Sequence, residues 1–265
     1  MKNLKIALLL MLSISIISCS DDDDSSENLS GQTGNLIIKF DNGYGDQDFI
    51  FGTEYQKSND ESFKLETLKY IVSNISLEDE IGNVYEYPFN ENIFIVDEAN
   101  ANAAGEIWIM LEDIPAANYT NVSFGVGVDQ DRYAMGAEGQ GEFLETADEA
   151  GMLWSWATGF KFIRMDGSFS SSSITNDDLN VHMGSVGTSL DNYRAVSLSF
   201  PNTVLVRTET QPEIHIKSDI SKVFDGSTSV NLMDGYNQVH VDPETTAVVA
   251  NNIMTMFEVH HVHNN

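Results

Sequence analysis

Cysteine occurs once in the 265 residues, at Cys19. A lone thiol excludes any disulfide within the chain. Basic residues are scarce as well: 13 Lys and Arg stand against 41 Asp and Glu, for a formal net charge of -28. With no basic patch, a nucleic-acid reader is excluded. Such acidity repels nucleic acid and anionic membrane surfaces and attracts cations. No apolar run reaches the roughly 20 residues of a membrane-spanning helix; the run at residues 6–17 stops short of it. Catalytic signatures are missing too. There is no G-x-S-x-G elbow, no HExxH, no P-loop and no Rossmann glycine fingerprint. Acids abound, yet no spacing singles out a carboxylate pair for glycoside hydrolysis.

What is present begins with a leader. Lys2 and Lys5 precede the apolar run, which is the order of a secretory signal. The run ends in Ile16-Ile17-Ser18-Cys19. This resembles the lipobox of bacterial lipoproteins, and so residues 1–18 are expected to be a lipoprotein signal peptide. Cys19 is then the lipidated first residue, anchored in the membrane by two or more acyl chains. Residues 19–34 form the lipidated Cys and an acidic tether, with Asp21, Asp22, Asp23 and Asp24 among serines, too polar to bury surface. Ser-Asp-Asp-Asp-Asp after the cysteine resembles the export signal of Bacteroidota lipoproteins. It implies an outer-membrane lipoprotein exposed at the cell surface; a plain solvated tether on a periplasm-facing lipoprotein is the alternative.

Residues 35–265 read as one domain. "NLIIKF", "SFKLETLKYIVSNISLED", "NIFIVDE" and "NYTNVSFGVGVD" alternate apolar and polar residues, with turn residues between them. "FKFIRMDGSFSSS" and "SITNDDLNVHMGSVG" suggest a hairpin, and "YRAVSLSFPNTVLVR" and "PEIHIKSDISKVF" suggest neighbouring strands. Strands at about ten-residue spacing predict an all-β fold, a single antiparallel β-sandwich. One short C-terminal helix is expected in "DPETTAVVANNIMTMF", where Asp242 is a suitable N-cap and Pro243 suits the first turn. A weaker helical signal lies in "ETADEAGMLWSW".

Six histidines are present, and none precedes His182. In the closing "VHHVH", an extended chain puts His261 and His263 on one face. Imidazoles so placed can chelate copper, zinc or nickel. The plain alternative is a frayed terminus without a role. His182, His240 and His215 stand singly; His215 alternates with Ile214 and Ile216 and so faces away from them. Oxygen-rich loops at Asp41, Asp46 and Asp48, and at Asp129 and Asp131, could hold calcium or simply be solvated; neither has the EF-hand spacing. Trp154, Trp156, Phe160 and Phe162 recur at period two, which suits a sandwich core or a sugar-stacking surface.

"GMLWSWATGFKFIRMDG", "LKYIVSNISLED", "NVHMGSVG" and "ANNIMTMFEVHHVHN" together resemble the MbnP-like copper-binding protein family, in its Bacteroidota lipoprotein branch. The resemblance spans about residues 35–263, and His182 matches the histidine of the family's F-H-x-G-S strand. It implies an extracytoplasmic β-rich domain linked to copper acquisition, and as partners a diheme oxidase or an outer-membrane transporter. In methanotroph members the diheme enzyme oxidises a tryptophan to kynurenine, which binds copper together with histidines. Here the tryptophans are Trp108, Trp154 and Trp156, and the early ligand histidines of those members have no counterpart. The expected function is non-catalytic binding of copper for scavenging or transfer. The expected ligands are His260, His261 and His263, with His182 and His240 after them. The rival is a surface module for glycan or protein with at most a structural calcium ion.

Overall fold

The computed structural model describes residues 27–265; the leader, Cys19 and the four tether aspartates lie outside the described residues. In chain order the strands are β1 (Thr33–Tyr44), β2 (Gln47–Asp48), β3 (Tyr55–Gln56), β4 (Ser62–Asp79), β5 (Val84–Glu86), β6 (Ile93–Asp97), β7 (Glu106–Pro115), β8 (Ala117–Val126), β9 (Leu153–Ser155), β10 (Gly159–Ser170), β11 (Asp177–Gly184), β12 (Arg194–Val206), β13 (Glu213–Asp219), β14 (Gln238–Val239) and β15 (Phe257–His263). Among the described residues four short α-helices interrupt them: α1 (Gln130–Ala134), α2 (Phe143–Glu149), α3 (Lys222–Asp225) and α4 (Pro243–Ile253). Among the described residues no helix is long and apolar enough to cross a membrane.

The strands form two sheets. The smaller has five strands, running β15-β13-β1 with β7 on the other side of β1 and β2 at its end. The larger has ten and is built around β4 and β10. Period-two patterning explains which faces meet. In β1, Leu36, Ile38 and Phe40 are fully buried, while Lys39 and Asp41 alternate onto the outer face. Between the sheets Phe40, Phe124, Tyr70 and Phe257 pack edge-to-face at centroid distances of 5.1–6.2 Å. Phe257 is the first residue of the last strand, so this aromatic cluster anchors β15 to the core. A buried polar link crosses beside it: the Tyr70 hydroxyl donates to Asn42 Oδ1 at 3.0 Å, and Asn42 Nδ2 donates to Glu98 Oε2 at 2.8 Å.

Several expectations need correction. The fold is mostly β with sandwich-like sheets, but they are mixed, not purely antiparallel: β1 pairs parallel with β13, and β11 with β14. A parallel neighbour needs a long crossover, and here the crossover from β1 to β13 includes most of the larger sheet. For the same reason β12 and β13 are not neighbours; β12 pairs with β8, and β13 with β1 and β15. The Trp154–Phe162 periodicity is not one strand. It spans β9, a turn and β10, which pair with each other; Phe160 and Phe162 are buried in the core, and Trp156 packs against it half-buried. The serine-flanked hairpin is present as β10–β11. The late helix is α4, with Asp242 Oδ1 accepting from the Glu244 and Thr245 amides, but it is followed by β15 and is not terminal. Residue 127 is glycine of necessity: its φ is +105°, and a Cβ would lie 2.2 Å from the Phe162 ring.

Candidate metal centre

The outer face of the five-stranded sheet is a grid fixed by strand register. Lys39 lies opposite Trp108 on β7 and opposite His215 on β13, and His215 lies opposite His261 on β15. Trp108, Lys39, His215 and His261 therefore form one cross-strand row. One row away, Asp41 lies opposite Glu106 and Lys217. In the row on the other side, Glu213 lies opposite His263.

A β-bulge completes the cluster. Pairing passes from His215↔His261 directly to Ile216↔Val259, so His260 is the extra residue on β15. Strict alternation would turn His260 towards the face opposite His261. The extra residue lets both project from the outer face, which is what bulges do to side-chain direction. One nitrogen each of His215, His260 and His261 then lies within 4.8 Å of the others.

The hydrogen bonds order this set. Asp41 Oδ2 lies 3.0 Å from His215 Nε2. A carboxylate oxygen accepts, so Nε2 carries the hydrogen and Nδ1 offers its lone pair. That lone pair faces His261 Nε2 at 3.3 Å. The other nitrogen of His261, Nδ1, lies 2.7 Å from His260 Nδ1. His263 stands beside His261 with ring centroids 4.6 Å apart. Burial, then the charges of His215, His263, His260 and Lys39, hold His261 below the usual histidine range, which favours the neutral, metal-binding ring. Lys39 is occupied elsewhere, with Glu213 at 2.8 Å and the Trp108 ring 4.6 Å away. Beneath the sheet, burial, the opposing hydrogen bond from Asn42 and the charges of Asp41 and Asp97 leave the Glu98 carboxyl at about 7. A groove of about 350 Å³, lined by Asp48, Lys217, Asp219, Glu258 and His260 among others, opens alongside.

The donor set fits a borderline or soft transition metal. Two imidazole nitrogens bound to one tetrahedral ion at about 2.05 Å lie about 3.3 Å apart, the separation found between His215 Nδ1 and His261 Nε2. Asp41 supplies the carboxylate–histidine contact that fixes a ligand's tautomer and orientation.

Of the histidines expected from sequence, His260 and His261 lie in this cluster and His263 lies at its edge. His182 and His240 lie elsewhere, on β11 and just after β14 of the larger sheet, with ring centroids 5.3 Å apart. His182 Nε2 contacts Asp166 Oδ1 at 2.5 Å, and Arg164 Nε donates to Asp166 Oδ2 at 2.7 Å. Burial raises the Asp166 pKa, but the hydrogen bonds and electrostatic pull of His182 and Arg164 outweigh it and bring it to about 2. Burial, then His182 and Lys161, lower the pKa of His240. With Arg164 and Lys161 beside it, that pair is a poorer cation site. His215 is the residue that sequence reasoning passed over. Its outward direction was readable from Ile214-His215-Ile216; its partner strand was not. Of the oxygen-rich loops, Asp129 caps α1, with its carboxylate accepting from the Arg132 amide and Asn74, and Asp41 serves His215.

The sequence model of the MbnP family matches residues 33–247. No curated protein sequence matches the chain. Among solved structures, MbnP from Methylosinus trichosporium is similar, with 15% identity and a TM-score of 0.48 over 88% of this chain and 99% of that one.

Proposed function

The chain belongs to the MbnP family, and from that premise we propose that it is a non-catalytic, extracytoplasmic copper-binding protein, held at the outer membrane by acylated Cys19. The observation that carries the reading is the histidine cluster on the outer face of the five-stranded sheet, where His215, His260 and His261 converge and Asp41 orients one ring. His263 flanks it. The site lies on an exposed face, which suits scavenging or hand-over of an ion to an outer-membrane transporter better than permanent storage. Neutral imidazole is the binding form, so affinity falls as pH drops from about 7.5 to 5.5.

The test is elemental analysis of the full chain purified without a polyhistidine tag, after loading with copper and dialysis. Copper retained at one ion or more per chain, and lost in the His215→Ala/His260→Ala/His261→Ala variant, supports the reading. Equal retention by that variant, or an affinity that does not weaken at pH 5.5, refutes the histidine site. The exposed Trp108, 51% accessible on the same face, keeps a glycan- or protein-binding module as the second reading. That reading predicts no copper uptake and a Trp108 fluorescence change on adding glycan or partner protein.

A further inference from the structure

The two nitrogens of His261 face different partners. Nε2 faces His215 Nδ1 at 3.3 Å, and Nδ1 faces His260 Nδ1 at 2.7 Å. The nitrogens of one imidazole point away from each other across the ring, so a single ion cannot occupy both positions. The two contacts also differ in shape. His260 and His261 meet nearly head-on, with centroids 4.9 Å apart for nitrogens 2.7 Å apart. His215 and His261 are canted, with centroids 4.6 Å apart for nitrogens 3.3 Å apart, so their lone pairs converge to one side. The His215 side thus has the separation of two ligands on one ion. The His260 side opens to it by a swing of the exposed His260 ring, with His263 already beside His261.

Resting on the copper-binding reading above, we propose that the cluster holds two copper ions, with His261 bridging them as an imidazolate. The first ion takes His215 Nδ1 and His261 Nε2. The second takes His261 Nδ1 and His260. When the first binds, the single hydrogen of neutral His261 sits on Nδ1. The second ion displaces it, so one proton goes to solvent and each ring nitrogen donates its electron pair to one ion. Asp41, next to His215 at 3.0 Å, and Glu258, in the adjoining groove, supply negative charge near the pair. The extra strand residue at His260 acquires a purpose: without it no second ring would face His261 Nδ1 for the second ion.

The experiment titrates the untagged full chain with copper(II) chloride alone and follows stoichiometry by calorimetry, proton release in buffers of different ionisation enthalpy, and the electron paramagnetic resonance signal. The expected result is a signal that grows to one equivalent and then falls towards zero by two, as bridged spins couple, with one proton released by the second ion. His260→Ala should weaken the second ion at least tenfold and leave the first unchanged. His182→Ala/His240→Ala should change nothing. Saturation at one ion per chain overturns the two-ion site and leaves the copper reading standing. Two ions with a full, uncoupled signal also overturn it. No binding at all removes both.

Discussion

Asp41→Asn tests the centre at its support. Asp41 Oδ2 fixes the hydrogen of His215 on Nε2 and so aims the Nδ1 lone pair at the metal position. Asparagine keeps the shape but can turn its amide nitrogen to the ring, donate to Nε2, and put the hydrogen on Nδ1, where it blocks the ligand. Loss of such an outer partner costs about 10–100-fold in metal affinity, or about 1.4–2.8 kcal/mol. The control is Glu213→Gln. It removes the same charge from the same face, where Glu213 pairs with Lys39 at 2.8 Å. Its charge is already compensated by Lys39, so the control should stay within about twofold. Copper dissociation constants come from competition with a chromogenic chelator at fixed pH and salt, and a thermal melt of each variant confirms folding. Equal losses in the two variants would refute the reasoning, because the face would then act only through its summed charge.

Three further outcomes follow from the packing. Phe257→Ala should cost about 3–5 kcal/mol in urea unfolding, since the ring is 6% exposed and meets Phe40, Tyr70 and Phe124; a cost under about 1 kcal/mol would mean β15 is not held by the core. The Glu98 carboxyl, raised from 4.5 to about 7 by burial first, binds a proton in the folded chain that the unfolded chain has lost. Its contribution is complete below about pH 4.5 and lost as pH rises through about 7. Discounted for partial solvent screening, this is about 1–2 kcal/mol, so Glu98→Gln should gain that much on the wild type between pH 4.5 and pH 8; parallel pH profiles would contradict it. Copper(II) loading should quench Trp108, which sits two strands from His215 and so about 10 Å away, and Trp108→Phe should lose most of the quenching; unchanged quenching would place the copper away from this face.

Local chemistry was enough for much of this protein. Alternation in Leu36–Phe40 and Ile214–Ile216 set strands with one buried face because apolar side chains at period two leave no other economical burial. Asp242 and Pro243 set the start of α4, since capping involves only neighbours in the chain. The same alternation put His261 and His263 on one side. Sheet membership lay beyond it. Nothing local tells β13 to join β1 in parallel instead of β12, because pairing depends on which apolar faces close over the Phe40 and Phe257 cluster from strands far apart in the chain. The centre was hidden for the same reason. His215 and His261 are 46 residues apart, and they meet because Phe257 seats β15 against β13. His260 joins them only through a register shift that period-two counting cannot foresee. Residue types fixed which groups can bind a metal; the packing of two sheets decided which of them share a face.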